Sequence, residues 1–433
     1  MVFFDRPNPA ASSSGSRHTP DSRTKSGPIT TSGPIYDLAI IGAGIVGLAT
    51  ALELSDAGLS VVVFDRQLAM HEASWAAGGM LAADDPGNAE AIHELSVYSR
   101  SIYPEFLLRI QQLTGRFIQL RTERTLEGLP SSGSAHRVPK QATPLTHAEI
   151  ERMAPGLTSS AAARELRFVS LHEQSLDPCD LTDALPEAAQ AAKIDLREYS
   201  PVSRVVRAGA LSQVFYTRGS RAEAAQSSGS EAPSKAEAPS GSETQPSPEE
   251  SILSRHVLLA TGSWLAPIAH PPAVAPCKGN MLTLELEGPV QTNCVLRVPG
   301  LYIIPRGQSA PGPVQYVVGS TLERIGFDQT PNEDLLADLE RRAIALWPPL
   351  SKAKRVAAWA GLRPESPDGL PILGAVTTPD PNHKNLWVAT AHFRNGILQA
   401  PGTARLMRHL ITGAAPAISL ERFCCDRLLQ SSH

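Results

Sequence analysis

Residues 36–66 constrain the fold of this chain more than any other part of its sequence. Residues 38–41 form an apolar run that ends in a glycine-rich turn, which is typical of a buried parallel strand. In such a turn Gly42 permits the tight bend, Gly44 lets backbone approach a pyrophosphate, and Gly47 lets the next helix pack closely on the strand.

The residues after this turn complete a strand–helix–strand unit. A helix over Ile45–Asp56 would direct its free N–H groups and positive dipole end at a phosphate, and Gly58 would end the helix. The apolar run Val61–Phe64 then leads to Asp65, which could accept hydrogen bonds from a ribose hydroxyl. The whole order predicts a dinucleotide site, against the alternative of a packing turn that binds no phosphate.

Composition limits the classes of partner. The chain has 433 residues, with 39 basic and 43 acidic side chains and a net charge of -4, so we expect no nucleic-acid partner and no anionic membrane surface. Its five cysteines lack metal or redox spacing, which predicts reduced thiols, no metal site and a cytoplasmic protein. No apolar run approaches the roughly 18 to 20 residues of a membrane span, so we also expect a soluble protein.

The chain divides by composition into two predicted domains. Residues 1–34 and an insert at 219–250 are rich in Ser, Pro and Gly, and both are predicted to be disordered because they cannot bury enough apolar area. We assign residues 36–119, 166–274 and 354–425 to a nucleotide-binding domain. Residues 120–165 and 275–353, where short strands alternate, would form a second domain on an antiparallel sheet. The predicted class is α/β with a split Rossmann-like domain and a second α+β domain.

Periodicity places further elements along the chain. Helices are predicted at 89–114, at His147–Met153, from about Asp177-Pro178 to 192, and at 332–347. A strand pair is predicted at 195–206, and further strands are predicted at 211–217, 252–260, 280–286, 301–305, 314–318, 355–363, 370–374 and 386–391. A last helix would run to about Leu410, with Pro401 within about its first turn, and its N-terminus would face residues 394–396.

Two stretches of small residues could bring backbone against a planar ligand. Residues 71–85 include Gly78 and Gly79, and the strand ending at Ala260 is followed by Thr261-Gly262-Ser-Trp264. A close helix contact and a plain turn are the alternatives for these two stretches.

Four further motifs carry a resemblance to a known family. They are Ser74-Trp-Ala-Ala-Gly-Gly-Met-Leu, Tyr302-Ile-Ile-Pro-Arg, Trp359-Ala-Gly-Leu-Arg-Pro with Pro367-Asp-Gly-Leu-Pro-Ile-Leu-Gly, and His392-Phe-Arg-Asn-Gly-Ile-Leu-Gln-Ala-Pro. With these motifs the chain resembles the flavin-dependent D-amino-acid oxidase superfamily over about residues 36–423, and most closely its glycine oxidases of thiamine biosynthesis. The resemblance implies FAD held without a covalent link and a small amino acid bound over the flavin.

The resemblance also implies roles for individual residues. Residues implied or predicted to contact the cofactor are Gly42, Gly44, Ile45, Val46, Gly47, Asp65, Arg66, Ala73, Ser74, Gly78, Gly79, Met80, Val202, Thr261, Gly262, Trp264, His392, Phe393, Arg394, Asn395, Gly396, Ile397 and Leu398. Arg363 and Tyr302 would bind the substrate carboxylate, with Arg394 facing the substrate and Met80 beside it. A guanidinium suits the carboxylate because its planar fork binds two oxygens and stays charged. A surface ion pair or a core edge is the alternative for Arg363 and Tyr302.

Departures from the family pattern concern the pocket. Gly78 replaces a common Ala and Asp65 a common Glu, while Leu322 stands where glycine oxidases often have Met and Gly300 where some have His. A wider or drier pocket, and so a different range of substrates, would follow.

The leading hypothesis from the sequence is an FAD-dependent oxidase that converts glycine, sarcosine or D-amino acids to the imine and passes electrons to oxygen, producing hydrogen peroxide. A D-amino-acid dehydrogenase that reduces a quinone and a non-catalytic flavin-binding protein are the alternatives. A homo-oligomer is left open.

Overall fold

The computed structural model describes residues 34–131, 138–219, 248–264, 274–308, 312–376 and 385–429. Residues 1–33 of the predicted tail and 220–247 of the predicted insert lie outside the described residues. Within the described ranges, no helix combines the length and the apolar character needed to cross a membrane.

The secondary structure alternates between strands and helices. The strands in chain order are β1 Ile35–Ile41, β2 Val61–Phe64, β3 Met80–Leu81, β4 Leu120–Thr122, β5 Arg124–Pro130, β6 Thr143–Pro144, β7 Leu166–Leu171, β8 Gln174–Leu176, β9 Asp195–Arg197, β10 Val202–Ala208, β11 Leu211–Tyr216, β12 Glu250–Leu259, β13 Ala275–Leu286, β14 Cys294–Val298, β15 Leu301–Gln308, β16 Val314–Gly319, β17 Lys354–Glu365, β18 Ile372–Ala375 and β19 Leu386–Thr390. The α-helices are α1 Ile45–Asp56, α2 His93–Thr114, α3 His147–Met153, α4 Ala161–Arg164, α5 Pro178–Ala191, α6 Glu333–Leu346, α7 Gly396–Thr412 and α8 Asp426–Leu429. Short 3₁₀ helices occupy Glu90–Ile92, Pro348–Lys352, Phe393–Asn395 and Glu421–Phe423.

The first strand–helix–strand unit forms as predicted. β1 and β2 are parallel neighbours, and α1 spans the predicted residues. Gly42 has a φ of +108°, and a Cβ at Gly47 would lie less than 3.0 Å from the carbonyl oxygen of Gly42. The turn therefore needs glycine at Gly42 for conformation, and it needs glycine at Gly47 because helix and turn approach each other closely.

The unit belongs to an eight-stranded sheet, the first sheet, whose main order is β10-β11-β12-β1-β2-β9. β19 pairs with β12, and β18 pairs with β19. The predicted strand pair at 195–206 was wrong, because its two strands do not pair with each other. β9 follows α5 and pairs in parallel with β2, whereas β10 forms a hairpin with β11 at the far side.

The insert is shorter than predicted. Glu250 is the first residue of β12 and pairs with Tyr216 of β11, and the side chain of Glu249 accepts hydrogen bonds from Ser203 and Arg204. These two glutamates continue the β11–β12 hairpin, so its described ends are tied to the first sheet.

A second eight-stranded sheet has the order β17-β13-β16-β15-β14-β5-β7-β6. It is antiparallel except where β14 runs parallel to β5. The residues of β7 and β17 were assigned to nucleotide-binding segments, but both strands hydrogen-bond within this second sheet. Only β17 was predicted as a strand; β7 and β14 were not. The sequence of β17 predicts a strand but does not specify its partner, since pairing joins residues far apart in the chain.

One face of the second sheet packs against α6. Asn332 caps this helix, with its side-chain oxygen accepting the N–H of Leu335 at 3.2 Å. Apolar residues of α6, including Leu336 and Leu339, are buried with alternate strand residues such as Leu282 and Ile303. The predicted amphipathic helix is confirmed, and the opposite face of the sheet is left to line a cavity.

α2 and α7 pack across each other where Pro401 interrupts the hydrogen bonds of α7. Pro401 is the sixth residue of this helix, about a turn later than predicted, because α7 begins only at Gly396. Its missing N–H would leave the carbonyl of Ile397 without a partner. Tyr103 donates to that carbonyl at 2.6 Å, and Ser99 Oγ bridges the next pair by donating to the Leu398 carbonyl and accepting from the Gly402 N–H.

Candidate active site

A cavity of about 660 Å³ lies between the ends of the first sheet and the free face of the second sheet. The predicted site residues line it, except two. Gly47 lies behind the turn, where it packs on Gly42. Leu398 is buried in the apolar core beside the first sheet. The remaining predicted residues, which come from distant parts of the chain, are therefore brought together as expected.

The phosphate end of the cavity is the N-terminus of α1. Gly44 is the N-cap residue and supplies no side-chain cap, the first turn holds no acidic residue, and Ser74 Oγ accepts the N–H of Ile45 at 3.0 Å. Because Gly44, Ile45 and Val46 all line the cavity, the dipole end of the helix faces its interior. This arrangement fits a pyrophosphate.

Asp65 stands at the end of β2 beside this helix. One carboxylate oxygen accepts the N–H of Ala43 at 2.7 Å, and the other accepts the N–H of Gln67 at 2.9 Å. Burial raises the pKa of Asp65 to about 6, although both backbone hydrogen bonds act to lower it. Each oxygen keeps a second lone pair, so Asp65 can still accept ribose hydroxyls.

We predict that FAD binding weakens in mild acid because of Asp65. Only the ionised carboxylate can accept two ribose hydroxyls, so with a pKa of about 6 the dissociation constant of FAD should rise about tenfold between pH 8 and pH 5. The measurement is titration of the FAD-free protein with FAD, followed by flavin fluorescence. Asp65→Asn is the matched control, because its neutral amide should bind more weakly at pH 8 and lose this pH dependence. A wild-type constant that stays level over this range would contradict the prediction.

A stack of three side chains closes the cavity above Asp65. Arg66 forms an ion pair with Glu72, and its Cζ lies 3.3 Å from the ring centroid of Trp264. The Trp264 ring in turn packs on Phe327, with 4.5 Å between centroids. Phe327, which precedes α6 in the chain, was not predicted as a site residue, and an isolated aromatic residue in a loop gave no signal for it.

Another part of the cavity wall is formed by residues 392–397, which lead into α7. His392 is buried, its Nε2 lies 2.9 Å from Thr403 Oγ1, and burial lowers its pKa to about 4, so the ring is neutral at physiological pH. Thr261, at the end of β12, lines the cavity and its buried Oγ1 has no hydrogen-bond partner in the described structure. The unpaired hydroxyl of Thr261 and the start of α7 at the cavity wall fit a polar planar ligand such as a flavin.

The floor of the cavity lies on one row of residues across the second sheet, of which Met281 and Tyr302 line the cavity. Tyr302 on β15 lies opposite Gly319 on β16, which lies opposite Met281 on β13, and Met281 lies opposite Trp359 on β17. Directly paired residues point to the same face of a sheet. Tyr302 Oη reaches Met281 Sδ at 3.4 Å, so the phenol lies along this floor.

Arg363 is held beside the row by the segment after β16. Its Nη2 donates to Ser320 Oγ at 2.7 Å and its Nη1 to the Thr321 carbonyl at 3.1 Å. Leu322, predicted to face the pocket, is half exposed and does not line the cavity, whereas Gly300 does line it. Of the departures at Leu322 and Gly300, only the one at Gly300 therefore changes the cavity wall.

Arg394 lines the cavity, but its guanidinium is held by a neighbouring loop. Its Nη2 donates to the Gly87 carbonyl at 2.9 Å and to Asn88 Oδ1 at 3.0 Å, and it lies 3.7 Å from an Asp85 oxygen. Arg394 lines the cavity while it binds this loop. Met80 lines the cavity from β3, which pairs with β8.

A buried group of charges extends the floor row beyond Tyr302. Arg297 on β14 lies opposite Tyr302 and also opposite Glu127 on β5, with which it forms an ion pair. Glu173 lies 3.1 Å from Arg297 Nη1, and Asp85 lies 3.9 Å from it. One buried arginine is thus the shared cationic neighbour of three acids, and it also lines the cavity next to the predicted substrate position.

Burial and neighbouring charges shift the pKa values of these acids in different directions. Burial raises the pKa of Glu127 to about 7 and raises that of Glu173, against the opposing effect of Arg297. Burial would also raise the pKa of Asp85, but the positive charges of Arg297 and Arg394 outweigh it and hold that pKa below its usual value. This group was not predicted from the sequence, because β14, which carries Arg297, was not predicted.

Comparisons with known proteins match this geometry. Residues 37–410 match a protein family described as FAD dependent oxidoreductase (DAO). The chain is 31% identical over 391 residues to a glycine oxidase of Pseudomonas aeruginosa, a match that covers 88% of this chain and 96% of that protein. It is also 31% identical over 390 residues to the bifunctional protein ThiO/ThiG of Nostoc sp., covering 87% of this chain and 52% of that protein. Among solved structures, a glycine oxidase from Geobacillus kaustophilus is similar with a TM-score of 0.73 and 25% identity, covering 90% of this chain and 98% of the other.

Proposed function

Because the chain belongs to the FAD-dependent oxidoreductase family, we propose that it is an oxidase of glycine or a similar small amino acid. The substrate would be oxidised to the imine, which water converts to the 2-oxo acid with release of ammonia or, from an N-alkyl substrate, of the primary amine, while oxygen is reduced to hydrogen peroxide. Relatives named glycine oxidase that the chain matches over almost their whole length support this proposal.

The observation that carries the proposal is that the hydrogen-bond partners of Arg363 are neutral groups. Its guanidinium lines the cavity, and its Nη atoms donate to a hydroxyl and a carbonyl, not to an acid. No carboxylate of the described residues forms an ion pair with it, and the two hydrogen bonds leave some of its five N–H donors for a ligand. A substrate carboxylate is the partner that such a fork matches, with Tyr302 as an added hydrogen-bond donor.

The residues of the first domain fit FAD. The N-terminus of α1 and Ser74 would hold the pyrophosphate, Asp65 the ribose, and the backbone from His392 to Ile397 the flavin ring. When bound there, FAD supplies a hydride acceptor for the substrate Cα–H. Arg363 and Tyr302 would fix the carboxylate and so orient the Cα. Met281 and Ile304 keep this part of the floor apolar and exclude water.

We also propose a cellular role. The Nostoc relative is named a bifunctional protein ThiO/ThiG, which favours supply of the product to thiazole synthesis for thiamine. All five cysteines are free, including the neighbours Cys424 and Cys425, which favours a reducing cytoplasmic compartment. We propose no obligatory macromolecular partner.

The test is purification followed by a peroxide assay with glycine, sarcosine and D-alanine. We expect a yellow protein that releases FAD on acid denaturation and forms peroxide with at least one of these substrates. Reduction of a quinone analogue without peroxide would instead identify a dehydrogenase. Absence of turnover with every acceptor, in protein that holds FAD, would refute catalysis by this chain.

A further inference from the structure

Two glycines inside strands of the second sheet lie against the two side chains assigned to the substrate carboxylate. A Cβ built on Gly279 of β13 would lie less than 3.0 Å from Nη1, Nη2 and Cζ of Arg363. A Cβ built on Gly319 of β16 would lie 2.6 Å from Cε2 of Tyr302, and equally close to its Cζ and Oη. In both cases the group that would be displaced is the functional end of the side chain.

A positive φ does not explain these glycines, because neither has a φ in the left-handed region. A glycine within a strand weakens the strand and often marks the close approach of another group. Here the approaching groups are the Arg363 guanidinium and the Tyr302 phenol.

The strand register explains why Arg363 needs this space. Arg363 lies opposite Cys277 on β13. On the same face of β13, Gly279 is the next residue along the strand and Met281 is the one after it. Its guanidinium leans along β13 from its own row onto Gly279, which brings it towards the row that contains Tyr302. Residues Ser320 and Thr321, directly after Gly319, then accept its two hydrogen bonds.

We propose that Gly279 and Gly319 are positioning residues that, by lacking side chains, set Arg363 and Tyr302 at the separation and depth that bind one substrate carboxylate. This inference rests on the proposed function, since it concerns the same site. The two glycines determine where the carboxylate lies, and therefore where the Cα–H lies relative to the flavin site. Neither glycine needs to contact the substrate.

The test is a pair of double-mutant cycles on FAD-loaded protein. Gly279→Ala should raise KM for glycine by up to about 100-fold, as expected for a displacement of about 1 Å, while FAD content stays unchanged. The same substitution made in an Arg363→Ala background should change KM less than twofold, because it acts only through Arg363. Gly319→Ala should behave in the same way towards Tyr302→Ala.

A binding measurement accompanies the kinetics. Glycolate carries a carboxylate but no amine, and its dissociation constant can be read from the change in the flavin absorption spectrum. We expect this constant to rise with KM in both glycine variants. If the wild type binds glycolate but oxidises no amino acid, the proposed function fails while the positioning role can still be tested by binding.

Gly128 of β5 provides the matched control. A Cβ built on Gly128 would lie 2.8 Å from Val298, 2.9 Å from Leu166 and 3.0 Å from Phe168. Gly128→Ala therefore crowds the same sheet without touching Arg363 or Tyr302. It should lower the melting temperature and leave KM and glycolate binding unchanged. The inference is wrong if Gly279→Ala and Gly319→Ala keep wild-type KM and glycolate affinity, or if Gly279→Ala has its full effect without Arg363. Should one variant fail to fold, the other cycle decides alone.

Discussion

Arg363→Ala should retain FAD and its spectrum and lose most of kcat/KM for glycine. Removing one partner of a desolvated charge pair typically costs about 2 to 5 kcal/mol, which corresponds to roughly 30-fold to several-thousand-fold. The Arg363 Nη atoms now donate to Ser320 and the Thr321 carbonyl, both polar groups that water can satisfy after the substitution. Folding should therefore suffer much less than substrate binding. Steady-state peroxide production and flavin occupancy, measured on the same samples, test this.

Two further variants sharpen the prediction for Arg363. Arg363→Lys should recover only part of the lost efficiency, because one ammonium cannot reproduce the planar fork. Arg341→Ala is the control for loss of an arginine, since Arg341 is exposed on α6 and pairs with Asp338 at the surface. Near wild-type efficiency in Arg363→Ala that still holds FAD would make Arg363 structural, and the carboxylate would have to bind elsewhere.

Arg394 is the next candidate for the carboxylate, but its surroundings differ from those of Arg363. It is held by the loop from Asp85 to Asn88, and Asn88 also exchanges hydrogen bonds with Asn395. Binding a substrate carboxylate would require Arg394 to leave Asp85, Gly87 and Asn88. Arg363 needs no such rearrangement, which is why it is the stronger choice.

The first strand–helix–strand unit was predictable because its signals are local. Gly42 and Gly58 provide positive φ angles, Gly47 packs on Gly42 nearby in the sequence, and apolar runs bounded by glycine determine the strands. Membership of the two sheets was harder to predict. β7 and β17 have strand sequences, but their partners lie far away in the chain, and nothing local chooses between the first sheet and the second.

Prediction of the site had a similar limit. The resemblance supplied Arg363 and Tyr302 because they lie in motifs, whereas the groups that place them lie in other strands. Gly279 and Gly319 did carry a signal, since a glycine inside a strand suggests a close approach, but the sequence does not say which side chain approaches. Phe327 packs on Trp264, which in turn packs on Arg66. Because these three residues lie in separate parts of the chain, only folding brings them together.

The floor row links the substrate position to the charge group. Glu127, Arg297 and Tyr302 are successive cross-strand neighbours, and Gly319 and Met281 continue the same row. Arg297 also lies near Asp85, which lies near Arg394. A change at Arg297 should therefore affect both the fold of the second sheet and the two walls of the pocket.

Arg297→Met should destabilise the protein by about 3 to 5 kcal/mol at pH 8, the cost of leaving buried charges without their partner. Met keeps much of the length of the Arg stem, so the loss reports mainly on charge. Glu127, Glu173 and Asp85 would remain buried with one positive neighbour fewer. Denaturant unfolding gives the free energy, and Arg116→Ala is the control, because Arg116 pairs with Glu187 at the surface and its loss should change the free energy of unfolding very little.

The pH dependence of this loss follows from Glu127. Its folded pKa of about 7 lies above the usual value near 4.5, so its proton stabilises the fold fully below about pH 4.5, and this contribution is lost as the pH rises through 7. Glu127→Gln should remove that part of the pH dependence and, combined with Arg297→Met, should recover part of the stability at pH 8. The coupling between the two substitutions, measured in one double-mutant cycle, should exceed about 1 kcal/mol. Strict additivity, or a loss in Arg297→Met no larger than in Arg116→Ala, would show that the three acids do not depend on Arg297.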